Sequence, residues 1–255
     1  MASRKEEKEQ RRAEREQAEA TEAAQQRRSR ALMAGGAAAL LAVIVVVVLI
    51  VASQSGDDEG GDPGNIAGVD AITAELEGIE QSGFVIGDPD APVTIVEYGD
   101  LQCPACAAFS EAALPDIIES EVRSGNAKLE FRNWLIIGPD SETAARAALA
   151  ASEQDRFWHF VELFYANQGQ EGSGYINDEF LADIAAAAGV EDLDQWSADR
   201  ASSDWDQRLM ETQGLAVQQG LPGTPSIVVE GPGGTEVLGT PESVEQVSQA
   251  VQSVS

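Results

Sequence analysis

The apolar and polar positions of residues 83–255 follow two periods, and together these periods predict an α/β fold. The run "VTIVEY" at residues 93–98 is rich in β-branched residues, which is typical of a buried central strand. The segment "CPACAAFSEAALPDIIES" that follows has a helical period, so it predicts an amphipathic helix that begins at Cys103 and is kinked by Pro115. One side of this helix carries Cys106, Phe109, Ala113 and Ile117.

Further strands and helices are predicted on both sides of this strand–helix unit. Strands are predicted at "FVIG", "AKLEFRNWLII", "SIVVE" and "TEVLG", with turns at "DPD" and "GPGG". Residues 141–213 have a helical pattern, with a cap at Asp140 or Ser141, a core stripe of Phe157, Phe160, Val161 and Phe164, and a helix from Asn177 to Gly189. A last helix is predicted at "PESVEQVSQAVQSV", with Pro241 near its first turn. Without the helical block, the order is β-α-β followed by β-β-α.

Residues 31–52, "ALMAGGAAALLAVIVVVVLIVA", carry no charge and predict a transmembrane helix. At ~1.5 Å per residue the run spans about 33 Å, enough for the hydrocarbon core of a bilayer. Arginines precede the run and acidic residues follow it, so the positive-inside rule places the charged head, residues 1–30, in the cytoplasm and the C-terminal body outside. The alternative is a long cleaved signal peptide, because small residues lie at the end of the run.

The segment between this helix and the body is predicted to be a flexible linker, residues 53–82. Its first part, residues 53–68, is rich in Gly, Asp, Ser and Pro, and one short helix is expected within residues 69–82. The folded body is then expected to cover residues 83–255.

The charge is distributed very unevenly along the chain. Residues 1–30 carry nine Lys/Arg and seven Asp/Glu, whereas residues 53–255 carry seven Lys/Arg and 37 Asp/Glu. An acidic body of this kind repels phosphate backbones, which excludes nucleic acid as an expected partner. Adaptation to high salt is one explanation of the acidity, and chance composition is another.

Both cysteines of the chain lie in one motif, "CPAC", at Cys103 and Cys106. A structural zinc site needs four ligands, and the only histidine, His159, is more than fifty residues away and predicted to lie on the surface, so no metal is expected. A passive disulfide would close a very small loop and so remove little entropy from the unfolded chain. A redox pair fits better, because a thiolate at a helix N-terminus is stabilised by the helix dipole and by free N–H groups.

The complete pattern resembles the thioredoxin superfamily, and most of all the membrane-anchored DsbA-like thiol–disulfide oxidoreductases. The resemblance covers about residues 83–255 and rests on "APVTIVEYGDLQCPAC", the helical block, "GTPS" at residues 223–226 and the hairpin and helix that follow. It implies a thioredoxin-like fold with an inserted helical block and thiol–disulfide exchange on unfolded or newly exported proteins. No dissociable cofactor is implied, since the disulfide itself is the redox group.

The resemblance also implies roles for individual residues. Cys103 corresponds to the attacking cysteine and Cys106 to the resolving one. Pro225 corresponds to a cis-proline beside the disulfide, which would leave the backbone of Thr224 free to pair with an extended substrate. Glu97 lies where related proteins bury an acid under the resolving cysteine, and such a carboxyl group can relay a proton.

Two questions stay open at this stage. Glu97 is equally well explained as an ion-pair partner of Arg132 on the next strand, and the two explanations are compatible. The dipeptide between the cysteines is Pro104-Ala105, whereas the most oxidising relatives have His at the second position, so one stabilising group for the thiolate is absent and a weaker oxidant is expected.

The expected reaction is net oxidation of substrate cysteines, for which a separate partner must reoxidise the enzyme. By family analogy this partner is a quinone-linked membrane oxidase. The alternatives are an extracytoplasmic thiol reductase and a non-enzymatic domain that only holds substrates.

Overall fold

The computed structural model of the protein describes residues 66–241 and 243–255. The predicted charged head, the predicted transmembrane helix at residues 31–52 and the first part of the predicted linker lie outside these residues. Within the described part of the chain, no helix is long and apolar enough to cross a membrane. The helices are α1 (Val69–Leu76), α2 (Pro104–Ala112), α3 (Leu114–Ile117), α4 (Pro139–Ser152), α5 (Phe157–Ala166), α6 (Asp178–Ala187), α7 (Leu193–Asp199), α8 (Asp204–Gln218) and α9 (Val244–Val254).

The strands form one mixed sheet. They are β1 (Gln81–Ser82), β2 (Val85–Ile86), β3 (Val93–Gly99), β4 (Ala127–Asn133), β5 (Ser226–Gly231) and β6 (Gly234–Gly239). Their order in the sheet is β1-β2-β4-β3-β5-β6. The β3–β4 pair is parallel, since α2 and α3 cross over between the two strands, and the other neighbouring pairs are antiparallel. The run "VTIVEY" therefore forms a central strand, which confirms the prediction.

The two faces of β3 belong to different apolar clusters. Val93 and Ile95 lie in the large core, whereas Val96 and Tyr98 lie in a smaller cluster between the sheet and α8. Side chains of a strand alternate between its faces, so Glu97 shares the face of Ile95 and lies on the side of the large core. This alternation decides which chemical groups lie beneath the active-site helix.

The helix after β3 is interrupted at the predicted position. α2 ends at Ala112, α3 begins at Leu114, and a π-helical turn at Ile118–Val122 follows. Pro115 accounts for the break, because proline cannot donate a backbone hydrogen bond and its ring clashes with the preceding turn. The prediction of a kink at Pro115 is therefore confirmed.

The helical block contains the five helices α4 to α8 and extends from Pro139 to Gln218, slightly beyond the predicted limits at both ends. Its first helix is capped by Gly138, and not by Asp140 or Ser141, because Pro139 suits the first helical position. Asn177 caps α6 as predicted, and its side chain accepts a hydrogen bond from the Phe180 N–H. The predicted stripe of Phe157, Phe160, Val161 and Phe164 is fully buried.

The folded body begins before the predicted boundary at Gly83. Residues 69–82 contain α1 and β1, so the expected short helix is present, but the assignment of residues 53–82 to a flexible linker extends too far. α1 packs on α5, because Val69 and Ile72 contact the large core. The same contact explains why His159, predicted to lie on the surface, is half-buried beside residues of α1.

We expect Gly99→Ala to destabilise the protein, because a Cβ at this position would lie 2.5 Å from Cζ of Phe131 and 3.1 Å from the Tyr165 hydroxyl. Overpacking of this kind costs ~1–3 kcal/mol of unfolding free energy. Gly214→Ala is the matched control, since among the described residues no atom outside the local helix backbone lies within 4 Å of a Cβ there, and alanine favours a helix interior by ~1 kcal/mol. Urea unfolding of the full-length protein measures both, and equal stability of the two variants would contradict this packing.

Candidate active site

The CPAC motif lies at the N-terminus of α2, at the end of the central strand. Cys103 is the N-cap residue, with extended backbone angles, and Pro104 occupies the first helical position. The cap is favourable because proline at this position loses no helical hydrogen bond. The backbone N–H groups of Cys106 and Ala107 both donate to the Cys103 carbonyl, at 3.1 and 3.2 Å. The sequence prediction that a helix opens at Cys103 is therefore confirmed.

The fold brings the predicted site residues together from distant parts of the chain. The Sγ atom of Cys103 lies 3.4 Å from the carbonyl oxygen of Thr224, and the Thr224–Pro225 peptide bond is cis, as predicted. The two thiols are unbonded, and Cys103 is 6% exposed whereas Cys106 is completely buried. An external reactant can therefore reach only the first sulfur.

The Cys103 thiolate is strongly stabilised. A hydrogen bond from the Cys106 thiol is the main reason why the pKa of Cys103 falls to about 6, although burial opposes this shift. The Thr224 side chain and the backbone N–H groups of Ala105 and Cys106 lower the pKa further. These N–H groups belong to the first helical turn, so the helix N-terminus supplies the predicted stabilisation.

The second sulfur and the acid beneath it have pKa values shifted in the opposite direction. Burial raises the pKa of the Cys106 thiol, and the negative charges of Cys103 and Glu97 add to the effect. Burial also raises the pKa of Glu97 well above its ordinary value, and the charges of Glu162 and Cys103 act in the same direction. Glu97 is 1% exposed, and its Oε1 atom has no hydrogen-bond partner among the described residues. A neutral carboxyl group is therefore favoured beneath the thiols.

The alternative assignment of Glu97, as the ion-pair partner of Arg132, is wrong. In the parallel register Glu97 lies beside Phe131, whereas Arg132 lies beside Tyr98 on the opposite face of the sheet. Arg132 instead pairs with Glu130 at 2.9 Å and donates to the Tyr98 hydroxyl at 2.8 Å. Strand alternation separates the two side chains, which the sequence could not reveal without the register.

Asp100 is a functional residue that the sequence analysis missed. Its buried carboxylate accepts hydrogen bonds from the backbone N–H groups of Gln102 (2.9 Å), Ile136 (2.9 Å) and Ile137 (3.1 Å). Its carbonyl oxygen accepts from the Cys103 N–H at 2.8 Å. The signal in the sequence was a short acidic residue directly after a buried strand, where Asp commonly forms such turns.

Two glutamines that the sequence analysis missed complete the support of the CPAC loop. The Gln102 side chain donates to the Ser141 hydroxyl at 2.9 Å, which ties the loop to α4. The Gln168 side chain donates to the carbonyl oxygens of Leu101 (2.7 Å) and Cys103 (3.2 Å). The helical block therefore holds the loop from two sides, and no local pattern in the sequence indicates these contacts.

The thiol pair is the reactive group of this site. Within the described residues, no group of three or more His, Cys, Asp or Glu side chains is placed to hold a metal ion. The arrangement combines a stabilised thiolate, a buried second thiol and a protonated acid. It can form a mixed disulfide at one sulfur and resolve it at the other.

We expect iodoacetamide to alkylate Cys103 of the reduced protein with a half-titration point near pH 6, because its pKa is about 6. A free cysteine titrates near ~8.5. Cys106 should not react in this range, since it is buried and its pKa is raised. Mass spectrometry of the alkylated peptides after timed quenching distinguishes the two sulfurs, and equal alkylation rates would contradict the assignment.

Comparisons with known proteins agree with this geometry. The sequence profile of the family described as Thioredoxin matches residues 80–253. A probable disulfide bond formation protein D of Bacillus cereus is 33% identical over 149 residues, which cover 57% of this chain and 69% of the relative. Disulfide bond formation protein D of Bacillus subtilis is 34% identical over 103 residues, covering 40% of this chain and 46% of the relative.

Two solved structures support the same fold. Oxidised BdbD from Bacillus subtilis superimposes with a TM-score of 0.59 at 23% identity, covering 68% of this chain and 95% of that one. A thioredoxin-like oxidoreductase from Silicibacter pomeroyi gives a TM-score of 0.55 at 30% identity, covering 66% of this chain and 89% of that one. The protein therefore belongs to the thioredoxin family, among its DsbA-like thiol–disulfide oxidoreductases.

Proposed function

We propose that this protein oxidises cysteine pairs in newly exported polypeptides, with Cys103 forming the mixed disulfide and Cys106 as the resolving sulfur. The observation that carries the proposal is the Cys103 thiolate, stabilised at the N-terminus of α2 and placed 3.4 Å from the backbone of Thr224. A stabilised thiolate favours the reduced enzyme, so its disulfide is a good acceptor of electrons. Ala105 supplies no charge to this thiolate, so the oxidant is weaker than relatives with His at that position.

The reaction consists of two exchanges that transfer two electrons from substrate to enzyme. A substrate thiolate attacks Sγ of Cys103, the Cys103–Cys106 bond breaks, and Cys106 leaves with the electron pair and takes up a proton. The second substrate thiolate then attacks the substrate sulfur of the mixed disulfide. A substrate disulfide forms and Cys103 leaves as a thiolate, which is a good leaving group because of its low pKa.

The Thr224 backbone beside Cys103 is the proposed place for the substrate backbone. The carbonyl oxygen of Thr224 lies next to the reactive sulfur, so an extended chain that pairs with Thr224 would bring its own cysteine to Cys103. Pro225 follows directly and leads into β5, which fixes this carbonyl relative to the central sheet. Main-chain pairing of this kind accepts many sequences, as an enzyme for unfolded substrates requires.

Glu97 is proposed as the proton donor to Cys106. Its charge raises the pKa of Cys106, and burial raises its own pKa, which favours the protonated form that a donor needs. A thiolate with a raised pKa is a poor leaving group, so protonation of Cys106 accelerates the first exchange.

The proposed location is the outer surface of a cell membrane. Residues 31–52 form the anchor in this proposal, with the arginines before it on the cytoplasmic side. Reduced polypeptides emerge at this surface, and disulfides persist outside the cytoplasm. The proposed reoxidising partner is a quinone-linked membrane oxidase, which a tethered enzyme would meet within the plane of the membrane.

We expect the oxidised full-length protein to form a disulfide in a reduced, unstructured peptide with two cysteines, in equal molar amount. Cys106→Ala whose Cys103 has first been activated as a mixed disulfide with an aromatic thiol should form a mixed disulfide with a one-cysteine form of the peptide and release the aromatic thiol, whereas Cys103→Ala treated in the same way should form none. Non-reducing electrophoresis and mass spectrometry measure all three reactions. A non-enzymatic holding domain would leave the peptide reduced, and reduction of a disulfide peptide in preference to this oxidation would indicate a reductase.

We expect protease added to intact cells to remove residues 53–255 and to leave the charged head protected. The expectation follows from the arginines before residues 31–52 and the acidic residues after them. Tags at the two ends of the chain report each fragment on a blot, and a cytoplasmic marker protein controls for intact membranes. Protection of the C-terminal tag until the membrane is permeabilised would reverse the proposed orientation.

A further inference from the structure

A cavity of about 650 Å³ opens beside the active-site helix, between α1, α2 and α5. Its lining includes Pro104 of the CPAC motif, Ala107 and Ser110 of α2, and Glu162 of α5. Glu162 is only 5% exposed, yet it borders this space. The cavity therefore connects a buried acid to the solvent side of the active-site helix.

Glu162 lies on the side of α5 that packs against the central sheet. Trp158 and Tyr165, about one turn before and one turn after it, both have ring contacts with Phe131 of β4. Phe131 is the direct neighbour of Glu97 in the β3–β4 register. The two acids thus face the same packed layer beneath the CPAC motif, and among charged groups Glu162 has the largest effect on Glu97.

Ser110 links Glu162 to the active-site helix. Its hydroxyl donates to Oε2 of Glu162 at 2.5 Å, and Ser110 lies one helical turn after Cys106. Burial raises the pKa of Glu162 to about 8, the hydrogen bond from Ser110 lowers it, and the charge of Glu75 raises it. Glu162 can therefore both hold and release a proton near neutral pH.

We propose that Glu162 is a proton relay between water in this cavity and Glu97, so that Glu97 is reprotonated in the same step in which it gives its proton to Cys106. The inference rests on the proposed function of Glu97 as proton donor. When the Cys103–Cys106 bond breaks, the Cys106 thiolate takes the proton of Glu97. The Glu97 carboxylate takes the proton of Glu162, and Glu162 recovers one from water, so one proton enters for each Cys106 thiol formed.

The relay explains how a buried acid can give up its proton without remaining as a carboxylate in the apolar core. Glu97 is 1% exposed, so its direct exchange with solvent is slow, whereas Glu162 borders the cavity. The ionisable groups around Glu162 are Glu75 of α1, Glu111 of α2, Tyr165 of α5 and Glu97 of β3. Of these, Glu111 lines the same cavity but is exposed, which makes it a control for the loss of a charge.

The test measures the reduction of the Cys103–Cys106 disulfide by dithiothreitol in the full-length protein, from pH 6 to 10. Acid quenching and thiol alkylation give the rate constant, which is divided by the concentration of dithiothreitol thiolate. In the wild type this constant should fall as pH rises through about 8, because Glu162 loses the proton that it relays. Glu162→Gln should be about tenfold slower at pH 7, less than a direct acid would contribute, and should lack this fall.

Two further variants separate the relay from a structural role. Glu111→Gln should reproduce the wild-type profile, because it removes a charge from the same cavity without removing the relay. Ser110→Ala should move the fall to higher pH, since the hydrogen bond that lowers the pKa of Glu162 is lost. Alkylation of reduced Cys103 should be the same in all variants if the thiolate is undisturbed.

A wild-type profile for Glu162→Gln, or an unshifted profile for Ser110→Ala, would overturn the relay. If Glu162→Gln does not fold, Ser110→Ala decides alone, because it keeps the acid and changes only its pKa. The outcome is independent of the proposed substrate reaction. Failure to oxidise a cysteine peptide rejects the proposed function, whereas the relay is decided by the pH profiles of the variants with dithiothreitol.

Discussion

The buried carboxylate of Asp100 is the contact on which the geometry of the thiols depends. It accepts three backbone N–H groups, one from the CPAC loop and two from the segment after β4, and so joins the two loops that extend β3 and β4. Charge-assisted hydrogen bonds of this kind are about twice as strong as neutral ones. A buried N–H group left without its acceptor costs ~1–3 kcal/mol, so the two loops cannot separate without a large loss of stability.

Because side chains alternate along β3, the two faces of the sheet carry different chemical groups. On one side, Glu97 shares the large apolar core with the thiols, where burial keeps it neutral. On the other side, Tyr98 contacts Arg132 and Trp134 in a smaller cluster beneath α8. Arginine is thereby kept away from the acid, whose pKa it would lower. A charged pair next to Cys106 would remove the proton that the proposed mechanism requires.

Local patterns in the sequence were sufficient to predict those elements whose formation depends on interactions between neighbouring residues. The β-branched run, the helix opening at Cys103, the break at Pro115 and the cap at Asn177 each depend on a few neighbouring residues. The sequence could predict that Pro225 lies beside the CPAC residues, because both motifs resemble those of a known family. The Glu97–Arg132 pairing failed because it depends on register, and Asp100 and Gln168 were missed because their partners are backbone groups distant in sequence. The sequence did not show that α1 belongs to the folded body, because α1 is held there by tertiary contacts with α5 that its own composition does not reveal.

The unequal exposure of the two sulfurs has a kinetic consequence. Only Cys103 has any exposed surface, so a polypeptide substrate and a reoxidising partner must both react at the same atom. They cannot occupy the enzyme together, and each must leave before the other binds. Turnover should therefore follow a ping-pong scheme, in which high concentrations of one reactant inhibit the reaction of the other. The flux through such an enzyme depends on the ratio of these two reactants as well as on its reduction potential.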